Sequence, residues 1–146
     1  MRVFLGKSCL ILCALSTAFA AHPNLNGAWS LQATKSNFAG EAAMQTGTVT
    51  INDREHHIYI SRSFNFDNEA GGFDYNFTTD GQENSSIKNG KTFKSKAKWE
   101  KDVLTVKTTR DNVTTVERYN LSPDGMLVLT VERTGHPVQA LYFQRP

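Results

Sequence analysis

From Thr46 onward, apolar and polar residues alternate with a period of two, broken at short intervals by pairs of turn-forming residues, and no helical periodicity appears after residue 45. Successive side chains of a strand point to opposite faces, so such a chain can bury its apolar set only as half-buried strands. The pattern predicts strands at Asn26–Ala33, Thr46–Asn52, His56–Phe66 and Phe73–Thr79, with a weakly patterned one at Ser85–Lys88. Five more follow at Lys91–Glu100, Val103–Arg110, Val113–Leu121, Met126–Arg133 and Val138–Arg145. The breaks between them, among them Asp53-Arg54, Gly71-Gly72, Asp80-Gly81, Asn89-Gly90, Lys101-Asp102 and Asp111-Asn112, mostly hold residues that tight turns favour. The stretch from Thr34 to Met44, with Ser36 as a cap and Glu41 within it, has room for a short helix or lid.

Tight turns between consecutive strands make a meander, and a meander of this length closes into a barrel to remove its edges. The fold class expected is therefore all-β, an antiparallel up-and-down barrel of eight to ten strands. If the last strand pairs with the first, an antiparallel barrel needs an even count, which favours ten.

Residues 1–20 read as a signal peptide: Arg2 and Lys7 form a basic start, Ser8 to Ala18 is mostly apolar, and Ala18-Phe19-Ala20 suits cleavage before Ala21. The apolar run is shorter than the roughly 20 residues of a membrane span, so no transmembrane anchor is expected. Removing 20 of the 146 residues leaves 126, enough for one barrel domain at 21–146. Both cysteines, Cys9 and Cys13, leave with the signal, which excludes a disulfide scaffold, a thiol enzyme and a cysteine metal site. Arg2 and Lys7 carry the formal excess of +2, so the mature domain has 14 basic and 14 acidic residues. That balance gives no argument for nucleic acid. A secreted or periplasmic monomer is expected.

The hairpins can be registered from their turns. Folding about Lys101-Asp102 sets Trp99 opposite Leu104 and Ala97 opposite Val106, with Lys94, Lys96, Lys98 and Lys107 outside. The next strand turns Val113, Thr115, Glu117, Tyr119 and Leu121 inward. A bulge in the Ser122–Gly125 turn then brings Leu127, Leu129, Val131 and Arg133 inward rather than Glu132. Trp29, Trp99, Leu104, Leu121, Leu127 and Arg145 gather at one end of this interior, and Arg110, Thr115, Glu117 and Arg133 at the other.

The segment Asn26-Gly27-Ala28-Trp29-Ser30-Leu31 carries Gly-x-Trp at the head of the first strand, and the chain closes on Tyr142-Phe143-Gln144-Arg145. With the meander between, this resembles the calycin group: lipocalins, fatty-acid-binding proteins and their bacterial lipocalin-like relatives. The resemblance implies that Trp29 packs at the closed base of the barrel beneath a basic residue, here Arg145. It also implies a small apolar or amphipathic ligand. The chain departs from fatty-acid-binding proteins in having only about a dozen residues between the first two strands, too few for a two-helix lid. The Arg-x-Tyr pair that holds a carboxylate on the last strand is missing too, and the adjacent Arg118-Tyr119 do not supply it.

The ligand-binding residues expected are Trp29, Phe73, Tyr75, Trp99, Arg110, Glu117, Tyr119 and Arg133. Trp29, Trp99 and Phe73 would line a cavity, and Arg110 or Arg133 would hold a polar head. A competing reading of the charges pairs Glu117 with Arg133 as an ion pair near the rim. The alternative function is a protein-interaction module with a filled barrel and no small-molecule ligand, working through its outer face or loops. His56-His57 point to opposite faces of a strand and cannot chelate one ion, so no metal is expected, and no cofactor. No nucleophile–base pair, carboxylate pair or phosphate loop has convincing spacing, so an enzyme is not expected. The lysine row reads as a solvated face.

Overall fold

The computed structural model describes residues 21–146 other than residue 68; the signal-peptide assignment lies outside the described residues. Ten antiparallel strands form one sheet. They are β1 (Gly27–Leu31), β2 (Thr46–Arg54), β3 (His57–Asn65), β4 (Ala70–Thr78) and β5 (Asp80–Lys88). The second half contributes β6 (Lys91–Glu100), β7 (Val103–Arg110), β8 (Val113–Leu121), β9 (Leu127–Arg133) and β10 (Gln139–Gln144). The order β4-β3-β2-β1-β10-β9-β8-β7-β6-β5 shows the first and last strands pairing, as parity requires.

The predicted register holds where it was drawn. Trp99 faces Leu104, Ala97 faces Val106 and Lys96 faces Lys107. Leu121 pairs with Leu127 and Tyr119 with Leu129, the bulged arrangement that turns aliphatic side chains inward. Glu132 stays outside and pairs with Arg118 at 3.1 Å.

Three turn assignments need correction. Gly71-Gly72 lies inside β4, opposite Ser63 and Phe64, because ladder pairing continues through it. Asp53-Arg54 ends β2, and the chain reverses at Glu55 instead, whose φ is 55°. Asp80-Gly81 begins β5, which is nine residues long rather than four.

That last difference shapes the barrel. β4 and β5 follow one another almost without a loop, yet they are the two ends of the sheet and share no ladder. A register shift between Asp80 and Glu83 adds a residue to β5 against β6, and a bulge of this kind bends its strand away. Near the turn, the Asn84 amide donates to the Thr78 hydroxyl at 3.3 Å; beyond it the barrel wall is split.

The region from Thr34 to Met44 forms no α-helix. A single 3-10 turn at Ala33–Lys35 is closed by Ser36, whose hydroxyl donates to the Gln32 carbonyl (2.9 Å) and accepts from the Tyr142 amide (3.0 Å). Asn37 then bridges to Ala140 through paired backbone bonds of 2.8 and 3.0 Å.

The core fills one end. Trp29, Leu104, Tyr119, Leu127, Leu129, Leu141 and Phe143 are almost fully buried there, and Leu25 closes the base from the segment before β1. The Trp29 indole N–H donates to the Leu25 carbonyl at 2.9 Å, and the Arg145 guanidinium lies 4.2 Å from its ring centre. The expected pairing of Gly-x-Trp with a closing arginine therefore stands, and Gly27 explains its spacing. Gly27 has φ +115°, and a Cβ there would sit 2.8 Å from the Arg145 Nη1 that donates to Asn26. Gly27→Ala is expected to cost about 2 kcal/mol through backbone strain and displacement of Arg145. Urea unfolding would check it, with a shift in tryptophan emission reporting the lost stack.

Candidate ligand-binding cavity

The half of the barrel away from Trp29 is hollow. A cavity of about 360 Å³ runs from the centre of the barrel to the mouth. Its walls come from β4 through β9 and from the Glu41 and His136–Gln139 segments. Phe73, Tyr75, Phe93, Val113 and Val131 provide the apolar surface. Ser95, Thr108, Thr115 and Glu117 provide polar groups deeper in. Phe73 and Tyr75 from β4 and Lys88 from β5 border the cavity on both sides of the split wall.

At the inner end, four side chains join into one network. Arg62 and Glu117 form an ion pair of 2.7 Å with side chains 7% and 10% exposed. A second Arg62 nitrogen donates to the Tyr75 hydroxyl at 2.7 Å, and the Tyr119 hydroxyl donates to Glu117 at 3.0 Å. The Arg62 plane also lies 4.9 Å from the Tyr75 ring centre. Burial works against a charged Arg62, but the neighbouring Tyr119, Glu117 and Tyr75 outweigh it and hold its pKa above the ordinary value. Burial pushes the Tyr119 hydroxyl well up, and burial likewise raises Tyr75, so both remain protonated donors. The Arg62 Nε is buried without a partner, which leaves the cation tied on its two other nitrogens.

The rim is differently arranged. Glu41 reaches across the mouth and accepts from Arg133 at 3.2 Å, from Gln139 at 3.3 Å and meets His136 Nδ1 at 2.9 Å. Arg110 lies 5.5 Å from the Phe93 ring centre, with its nearest carboxylate, Asp111, at 3.9 Å and exposed. Lys88 caps Phe73 at 4.3 Å.

The eight residues expected to bind ligand are therefore divided. Phe73, Tyr75, Arg110, Glu117 and Arg133 border the cavity. Trp29, Trp99 and Tyr119 do not: Trp29 and Trp99 belong to the base, where Trp99 stacks on His22 with ring centres 3.9 Å apart, and Tyr119 lies beneath Glu117. Glu117 does not pair with Arg133. The barrel brings Arg62 from β3 to it across the interior, and Arg133 turns to Glu41. Arg62 was missed, although alternation places it on the inward face with Ile58, Ile60 and Phe64, all buried. An arginine in that series was the available signal. Among the described residues, no helix is long and apolar enough to cross a membrane.

No family model matches the chain, and no curated protein matches it by sequence. Solved structures match its fold. The fluorescent protein UnaG is 18% identical, with a TM-score of 0.66 over 84% of this chain and 97% of that one. Secretory abundant heat soluble protein 4 from Ramazzottius varieornatus is 16% identical, with a TM-score of 0.63 over 83% and 94%. The fatty-acid-binding protein from Manduca sexta is 18% identical, with a TM-score of 0.58 over 83% and 98%. The architecture is thus a calycin-type barrel of the fatty-acid-binding-protein kind, the fold that Gly-x-Trp and the meander imply.

Proposed function

We propose that this chain is an exported carrier that holds a small amphipathic molecule in the hollow half of its barrel. The observation that carries the reading is the 360 Å³ cavity itself, apolar along its walls and polar at both ends, above a base that needs no ligand to be filled. Cavities of roughly 300–1,000 Å³ with a few placed polar groups are the usual form of small-molecule sites. The ligand's apolar part lies against Phe73, Phe93, Val113 and Val131. Arg110 and Lys88, unlike Arg133, have no carboxylate within hydrogen-bond distance among the described residues and would meet the ligand's anionic group at the mouth. Two of the similar folds belong to a fatty-acid-binding protein and a secretory protein, which supports both halves of the reading.

The test is native mass spectrometry on protein taken from its own host, with displacement of a hydrophobic dye as the second measurement. A mature chain beginning at Ala21, carrying a small molecule, is the expected result. Val131→Trp, which fills the cavity, is expected to lower dye affinity at least about tenfold while leaving the base packed. Dye binding unchanged by Val131→Trp, together with an empty native protein, would sink the carrier reading. Trp29 and Trp99 sit beneath the cavity and are poor reporters of its occupancy.

A further inference from the structure

We infer that the inner end of the cavity takes an uncharged hydrogen-bonding group and rejects a carboxylate, with Glu117 as the residue that sets this preference. The inference rests on the carrier reading and specifies its ligand: an amphiphile with an anion toward the rim and a hydroxyl or amide at the buried end.

The charge arrangement carries it. Arg62 is the cation nearest the inner end, but it does not border the cavity, and its guanidinium is directed at Glu117 and Tyr75. Glu117 does border it. A group arriving there therefore meets the anionic partner of a neutralised pair, not the cationic one. A carboxylate would stand beside a second carboxylate without a counterion, having lost its water, and both effects disfavour it.

The remaining groups suit a neutral head. The Tyr75 hydroxyl accepts from Arg62, and its own O–H makes no hydrogen bond among the described residues. Ser95 and Thr108 share one hydrogen bond of 3.1 Å between their hydroxyls, which leaves a further proton for a ligand. A hydroxyl or primary amide can accept from Tyr75 and donate to Glu117 or to this pair. A carboxylate has no proton to give. Sites built from placed donors and acceptors discriminate strongly against a group that leaves them unpaired.

The experiment compares three ligands of equal chain length that present the same carboxylate to the rim: decanoate, ω-hydroxydecanoate and decanedioate. Titration calorimetry on the native chain at neutral pH is expected to give ω-hydroxydecanoate the tightest binding, with decanedioate weaker by at least about tenfold. Glu117→Gln, which keeps a polar group but releases the charge of Arg62, is expected to reverse that order. The double variant Arg62→Met/Glu117→Gln, with neither charge, should not gain affinity for decanedioate, which separates charge from space. Circular dichroism verifies that each variant folds. If Glu117→Gln does not fold, the native comparison still decides. Equal native affinities for ω-hydroxydecanoate and decanedioate would overturn the inference while leaving the carrier reading intact. A folded Glu117→Gln protein with the native order would overturn the role of Glu117. If none of the three ligands binds, this inference falls, and the carrier reading is decided separately by the dye and native-mass measurements.

Discussion

Glu117→Leu is expected to destabilise the barrel by about 3–5 kcal/mol, read as a lower midpoint in urea with an unchanged slope. The loss comes less from the attraction removed than from what remains. Arg62 would stay almost fully buried with a positive charge and no anion, and the Tyr119 hydroxyl would lose its acceptor at 3.0 Å. An uncompensated buried charge costs more than a buried pair contributes, because the pair's mutual attraction only roughly offsets its own desolvation. The double variant Arg62→Met/Glu117→Leu is therefore expected to recover most of the loss. A double-mutant cycle showing additive costs would mean that the two side chains do not act as a pair. Arg62→Met alone should also destabilise, since it removes the partner that Glu117 holds at 2.7 Å.

Trp29→Ala carries the second large effect, about 3–5 kcal/mol, at the packed base of the barrel, away from the cavity. Trp29 is 1% exposed and is the largest fully buried side chain among the described residues. Its removal leaves a void bounded by β1 and by Leu25, strips the Leu25 carbonyl of its donor at 2.9 Å and takes the surface from beneath Arg145. For a domain of ordinary stability, about 5–15 kcal/mol, that is a fifth or more of the total. Trp29→Phe keeps much of the volume and loses the hydrogen bond, so it should cost about 1–2 kcal/mol. Equal melts for the two variants would show that volume at the base is not what holds it. The cavity is on the other side of the core, so dye binding by folded Trp29→Phe should match that of the native protein.

The second half of the barrel was the more legible in sequence. β6, β7 and β8 begin and end where alternation and turn residues place them, and the bulge before β9 follows from the cost of burying Glu132 with three aliphatic side chains outside. Gly71-Gly72 misled because a glycine pair is a turn signal only where no neighbouring strand supplies ladder partners, and β3 supplies them. The polar β5, GQENSS within it, shows almost no alternation; pairing with β6 made it a strand.

The site was legible by face but not by partner. Period two put Glu117 inside; the same alternation, left unread on β3, puts Arg62 inside as well. The two lie on strands that are not sheet neighbours, and a pairing across the lumen depends on how the sheet curls. Side-chain alternation is a local steric property, so the sequence by itself determined an antiparallel meander of eight to ten strands and the inward faces of its second half, while the resemblance carried by Gly-x-Trp implied the base of Trp29 and Arg145. Barrel curvature is collective. It alone decided that Arg62 would neutralise Glu117, that Glu41 would draw Arg133 to the rim, that β4 and β5 would part, and that one half of the interior would stay open.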